Sequence, residues 1–141
     1  MFPSPRLLIA ASAALSFAFA AAPAQAAEEW EAVSTTAMSI TGDITVEDEK
    51  ITFKNGESLG LRPVGDDEPG VFVVTPEANP TLLNGNKLCG NQPPTFLVFG
   101  RPKADGDDET LYLKVFDTND VPPASDEMDQ PGICASYTYM R

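Results

Sequence analysis

The side chains with which this chain could do chemistry are carboxylates and two cysteines. Its 141 residues include 21 Asp and Glu, Cys89 and Cys134, and no histidine. Without histidine, Ser-His-Asp triads and most zinc and copper sites are excluded. No GxSxG, GxGxxG or P-loop motif is present either. We therefore predict no catalytic residue, no cofactor and no enzyme activity.

The acidic runs raise the question of calcium, which binds several converging carboxylate oxygens. The densest run is residues 105–109 (DGDDE), which fits the first three ligand positions of an EF-hand loop. The glycine required at position six is Thr110, however, and the glutamate required at position twelve is Phe116. The runs at 66–68 and 126–129 are no more specific. Solvated acids between strands are the simpler interpretation, so we predict no metal site and keep a calcium-stabilised structural protein as an alternative.

The first 26 residues have the pattern of a cleavable secretory signal peptide. Arg6 supplies a positive charge, residues 7–22 are apolar, and residues 24–26 (AQA) form a small-x-small cleavage sequence. The apolar stretch is shorter than the roughly 20 residues that a membrane-spanning helix needs, which makes an uncleaved anchor the weaker alternative. We predict export to a bacterial periplasm or the medium, with the mature chain beginning at Ala27.

The two cysteines, Cys89 and Cys134, are predicted to form one structural disulfide. An even number of cysteines in an oxidising compartment favours this pairing. A redox or metal pair is the alternative, but the sequence has no CxxC spacing, and a two-cysteine metal site would need further ligands.

The mature chain is strongly acidic. Cleavage removes one of nine basic residues and none of the 21 acidic ones, leaving eight basic residues and a net charge of −13. This excludes nucleic acid as a partner, since phosphates require a basic footprint. It also argues against membrane binding after signal cleavage. A basic protein is the favoured partner, and the sequence makes no prediction of the oligomeric state.

Beyond residue 30 the apolar residues alternate as they do in β-strands, and no stretch keeps a helical spacing. The predicted strands are 38–46, 51–53, 59–61, 71–75, 95–99, 111–115 and 133–140. About seven strands in residues 27–141 predict a single all-β domain, either a small antiparallel β-barrel or a β-sandwich.

The register of the second and third predicted strands follows from parity. A three-residue loop at 54–56 opposes Ile51 to Leu59 and places Phe53 and Leu61 on the same face as that pair, whereas a two-residue turn would separate them. In the last strand, Ile133, Ala135, Tyr137 and Tyr139 share one face by alternation, and Cys134 lies on the other.

Two connections between predicted strands are unusually long. Residues 76–94 contain four prolines and Cys89, while residues 117–132 are acidic and end two positions before Cys134. The disulfide is therefore expected to hold both loops at one end of the domain. Leu82, Leu83 and Leu88 are candidate anchors that pack the first loop against the sheet.

Four aromatic residues are candidates for an exposed binding surface: Trp30, Tyr112, Tyr137 and Tyr139. Trp30 could equally close one end of a barrel. For Tyr137 and Tyr139, lining the core is the favoured alternative.

These observations favour a non-enzymatic protein-binding module, such as an inhibitor of a basic exported or host enzyme. The net charge, the absence of histidine and the two stapled loops support this hypothesis. The alternative from a different class is a carrier that holds a small apolar ligand inside the barrel.

Overall fold

The computed structural model describes residues 3–4, 16, 18, 27–104 and 106–141. The predicted signal peptide lies outside the described residues apart from its four isolated positions 3, 4, 16 and 18. Eight antiparallel strands form a closed barrel in sequence order. They are β1 (Glu28–Ala32), β2 (Ile44–Glu47), β3 (Lys50–Phe53), β4 (Ser58–Pro63), β5 (Val71–Val74), β6 (Phe96–Gly100), β7 (Thr110–Phe116) and β8 (Ile133–Met140). None of the helices in the described part of the chain is long and apolar enough to cross a membrane.

The predicted all-β class and the Cys89–Cys134 disulfide are confirmed. Strand β1, in which three glutamates surround Trp30, was not among the predicted strands. It was wrong about residues 38–42, because Ala37–Thr41 form a π-helical turn that ends at Gly42 with a φ of +61°. Strand β2 begins only at Ile44.

Strand β1 closes the barrel by dividing its pairing between two neighbours. Its first half pairs with β2, through Glu28 to Trp30, and its last two residues, Glu31 and Ala32, pair with β8. The Ala32 N–H faces away from β8 and instead donates to the Asp43 Oδ1 atom at 2.9 Å. A side chain thus satisfies the backbone donor at the point where the ladder changes partner.

The predicted three-residue loop between β3 and β4 is confirmed. Ile51 opposes Leu59, and the Phe53 N–H donates to the Glu57 carbonyl at 2.8 Å. Gly56 has a φ of +91°, a conformation that favours glycine.

The barrel interior is filled by side chains, as expected for eight strands. Alternate residues of the strands supply most of them, and two leucines from the 76–94 loop and one alanine from the π-helical turn complete the set. The buried cluster comprises Trp30, Ala32, Ala37, Ile44, Ile51, Phe53, Leu59, Leu61, Val74, Leu82, Leu88, Leu97, Phe99, Leu111, Leu113, Val115, Tyr137 and Tyr139.

Because each strand runs opposite to the previous one, alternate connections lie at opposite ends of the barrel. The connections 33–43, 54–57, 75–95 and 117–132 start from one end, which we call the disulfide end. The connections 48–49, 64–70 and 101–109 lie at the other end, which we call the acidic end.

The plug loop (residues 76–94) closes the disulfide end. Leu82 and Leu88 are buried in the interior cluster, and the Tyr137 hydroxyl donates to the Leu88 carbonyl at 2.6 Å. Asn84 Nδ2 donates to the Ser39 carbonyl on the π-helical turn at 3.0 Å. The expectation that leucines anchor this loop is met by Leu82 and Leu88, and Leu83 is half-buried.

The strap (residues 117–132) covers an apolar patch on the outer wall of β5, β6 and β7. The patch consists of Val71, Phe96, Val98 and Phe116. Ala124 of the strap packs against it, and its N–H donates to the Glu68 carboxylate at 2.7 Å. The strap thus begins at the disulfide end and reaches the acidic end.

Lys114 is buried beneath the strap, on the outer face of β7 that alternation with Leu113 and Val115 gives it. Its side chain has no exposed surface. Its Nζ atom donates to the Ser125 carbonyl at 2.6 Å and to Gln130 Oε1 at 3.0 Å. Gln130 Nε2 in turn donates to the Pro123 carbonyl at 2.6 Å. One lysine therefore binds both limbs of the strap to the wall.

The prediction that Ile133 shares a face with Ala135 was wrong. A register shift between Val115 and Phe116 leaves Ala135 opposite Val115 and Ile133 opposite Phe116. Such a bulge moves one residue to the other face. Ile133 therefore packs in the outer cluster, while Ala135 contacts the interior.

Replacing Cys89 and Cys134 together by serine should lower the free energy of unfolding by about 2–4 kcal/mol, because the unfolded chain regains the freedom of a ring spanning 45 residues. Urea unfolding of this variant beside the oxidised parent measures the loss. The β-sheet circular dichroism spectrum should persist, since the interior is packed by other side chains. Two free thiols per chain, titrated in the denatured and unreduced protein, would contradict the bond.

Candidate functional site

Tyr137 and Tyr139 line the barrel interior and contribute nothing to the surface. They are 1% and 0% exposed. The Tyr139 hydroxyl lies 2.6 Å from the Thr41 hydroxyl, so both phenols are hydrogen-bonded inside. Burial raises the pKa of Tyr137 to about 12. Burial also raises the pKa of Tyr139, with the Thr41 hydrogen bond opposing part of that increase.

Trp30 closes the acidic end of the barrel, the alternative role considered for it above. It is 2% exposed and lies beneath two guanidinium groups, with the Arg141 Cζ atom 4.4 Å and the Arg101 Cζ atom 5.5 Å from its ring centroid. Its Nε1 donates to Glu28 at 3.3 Å. Such cation–π contacts stabilise an aromatic plug while keeping the charges in water.

Two carboxylates hold these arginines in place. Arg101 Nη2 lies 2.7 Å from Glu28, and Arg141 Nη2 lies 2.8 Å from Glu109. Burial alone would raise the pKa of Glu28, but the hydrogen bond and charge of Arg101, together with the charge of Arg141, outweigh it. The pKa of Glu28 is therefore below its ordinary value, and this carboxylate is ionised at neutral pH.

Tyr112 is the only one of the four candidate aromatics with appreciable exposure. It is half-buried on the outer wall of β7, opposite Gly100 of β6 and Thr138 of β8. The expected aromatic surface of Trp30, Tyr112, Tyr137 and Tyr139 is therefore reduced to Tyr112, because alternation directs the last two inward.

The fold places three acidic triplets at the same end of the barrel. Each of the connections at the acidic end carries or adjoins one of them: residues 47–49 (EDE), 66–68 (DDE) and 107–109 (DDE). Eight of these nine residues are exposed, and Glu68 is half-buried. Two of these runs were considered above only as separate candidates for calcium binding. Counting strand parity in an up-and-down topology would have placed all three at one end.

The triplets divide into acids with structural partners and acids without. Glu47 pairs with Lys50, Glu68 accepts from the strap, and Glu109 pairs with Arg141. The other six make no ion pair with any described residue: Asp48, Glu49, Asp66, Asp67, Asp107 and Asp108. These six carboxylates leave unpaired negative charge at the acidic end, beside the ion-paired Lys50, Arg101 and Arg141.

A surface groove of about 590 Å³ runs along the barrel wall beside β1. Glu29, Glu31 and Asp43 line it together with Lys54 and Arg141. Its charges are of both signs, and Asp43 is already used by the Ala32 N–H. The groove therefore offers weaker electrostatic selection for a charged partner than the acidic end does.

One cluster of metal-type donors occurs among residues 27–104 and 106–141. It joins Cys89, Asp117 and Cys134, whose ligand atoms all lie within 4.8 Å of one another. The acidic triplets, as far as they are described, form no comparable group. Asp105 of the run tested for calcium lies outside the described residues.

The buried tyrosines predict a loss of stability in alkali. Unfolded tyrosine ionises near pH 10, whereas Tyr137 in the barrel ionises at about 12. The stabilisation that depends on protonated phenols is complete below about pH 10 and is lost as the pH rises through about 12. Urea unfolding at pH about 8 and about 11 measures the loss of unfolding free energy between the two pH values. This loss should be smaller in Tyr137→Phe. An equal loss in parent and variant would contradict a raised pKa of Tyr137.

Comparisons with known proteins add nothing to this geometry: the chain matched no protein-family model, no curated protein and no solved structure. A barrel fold alone does not specify a function.

Proposed function

We propose that this protein is exported and acts as a non-enzymatic binding module for a basic protein. The observation that carries the proposal is the placement of three acidic triplets at one end of the barrel, six of whose carboxylates pair with no described residue. A predominantly acidic patch attracts and orients a partner of opposite charge. An inhibitor of a basic enzyme is one protein of this kind.

The shape of the acidic end favours a protein partner. The triplets lie on three separate connections around the rim of a barrel, and Trp30 with its two arginines fills the centre. Charges arranged in this way match a broad surface better than a single small ion, which would require converging oxygens.

The two other functions considered have less support. A carrier needs an empty interior, and here side chains from all eight strands and the plug loop fill it. An enzyme without histidine would rely on carboxylates, lysine or tyrosine. Lys114, Tyr137 and Tyr139 are buried and hydrogen-bonded within the fold.

Export is the first part of the proposal to test. Strand β1 begins at Glu28, so cleavage after Ala26 would leave every strand intact. Expression of the full chain in a bacterium should yield a periplasmic or secreted protein whose intact mass corresponds to residues 27–141 with one disulfide. A protein that keeps residues 1–26 and remains in the cytoplasm would contradict export.

The acidic end is tested by neutralising three of its unpaired carboxylates, in the variant Asp66→Asn/Asp67→Asn/Asp108→Asn. The immobilised parent should retain a basic protein from the exported fraction of its own cells at about 50 mM salt, and less at about 150 mM. Each exposed charge contributes about 0.2–1 kcal/mol, so the variant should bind roughly tenfold more weakly.

A matched control separates the position of the charge from its amount. The variant Glu57→Gln/Glu77→Gln/Asp120→Asn removes three exposed acids from the disulfide end and gives the same net charge. It should retain the partner nearly as well as the parent does. Equal losses in both variants, or no basic partner at either salt concentration, would overturn the proposed site.

A further inference from the structure

The cysteines and Asp117 form a group that the proposed function does not use. Its three donors come from separate segments: Cys89 from the plug loop, Asp117 from the residue after β7, and Cys134 from the start of β8. The two Sγ atoms and a carboxylate oxygen all lie within 4.8 Å of one another. The Asp117 carboxylate is exposed and makes no hydrogen bond or ion pair with any described residue.

The chemistry of this group depends on its redox state. In the oxidised protein the sulfurs are bonded to each other, and neither is a thiolate. A dithiol reductant supplies two electrons and two protons, which convert the bond into two thiols while the reductant becomes a disulfide. Reduction thus places two potential thiolates beside a carboxylate, on a backbone that already holds the two cysteine Cα atoms 5.6 Å apart.

We propose that the reduced protein binds one zinc ion through Cys89, Cys134 and Asp117. Zinc accepts four-coordinate sets of thiolate and carboxylate ligands, and water completes the fourth position. Calcium and magnesium prefer oxygen ligands alone, so two sulfurs select against them.

Electrostatics make the metal and the thiolates mutually dependent. Two thiolates and a carboxylate held this close repel one another. A divalent cation offsets this repulsion, and its binding releases the two thiol protons. The zinc ion links the same segments as the disulfide and holds the plug loop against β8 before oxidation.

Cobalt(II) is the probe for the test, because its spectrum reports sulfur ligation and tetrahedral geometry. The whole protein, reduced with a phosphine in metal-free buffer, should bind one equivalent of Co²⁺ with a sulfur-to-cobalt charge-transfer band. Zn²⁺ should displace it. The oxidised protein should give no band, and circular dichroism should show that the reduced barrel remains folded.

The third ligand is tested with Asp117→Asn, which should weaken binding about tenfold or more. Asp120→Asn removes an exposed acid from the same strap and should bind like the parent. The proposal is overturned if the reduced protein gives no charge-transfer band, or if Asp117→Asn binds as tightly as the parent. The second result would show that the two thiolates bind the metal without the carboxylate.

Discussion

Closure of the barrel is the constraint on which the rest of this structure depends. An eight-stranded meander with every neighbour antiparallel assigns each connection to one end or the other by parity alone. Short connections between β2 and β3 and between β4 and β5 therefore meet the 101–109 loop. The plug loop and the start of the strap meet at the opposite end, where the disulfide joins the plug loop to β8. The antiparallel order, which β1 and β8 close into a barrel, thus determines which charges and which sulfurs lie at the same end.

The outer wall shows how the strap is held without forming a strand. Burial lowers the pKa of Lys114, and the charges of Asp126 and Glu127 offset part of that decrease. Two oxygen atoms accept hydrogen bonds from its amino group. Leaving such a buried donor without a partner would cost about 1–3 kcal/mol. Asp126 also accepts from the Arg101 N–H at 3.0 Å. The strap has the acidic composition of a solvent-exposed loop, yet it is part of the packed structure.

Sequence patterns predicted the features that depend on alternation between two faces. The pairing of Ile51 with Leu59 is one of these, because only one loop length keeps the apolar side chains together. Residues 38–42 alternate in the same way, yet the positive φ of Gly42 ends a helical turn there. Over so few residues, alternation does not distinguish a strand from a turn of helix.

Other features depend on contacts between distant segments, which local patterns do not contain. Lys114 reads as a solvent-facing residue until the strap covers it. Trp30 becomes a plug only because Arg101 and Arg141 meet above it from two other parts of the chain. Strand β1 was missed for a related reason, since its glutamates obscure a pairing that is divided between β2 and β8.

The acids at the acidic end have two different relations to the stability of the fold. Glu28 and Glu109 hold the arginines that cover Trp30, and replacing them would loosen the plug. The six unpaired carboxylates of the triplets have no such role. Their mutual repulsion opposes the compact state, and the nearby Arg62 and Lys103 form no ion pair with any described residue. Stability of the barrel therefore does not account for their presence, which the proposed basic partner would explain.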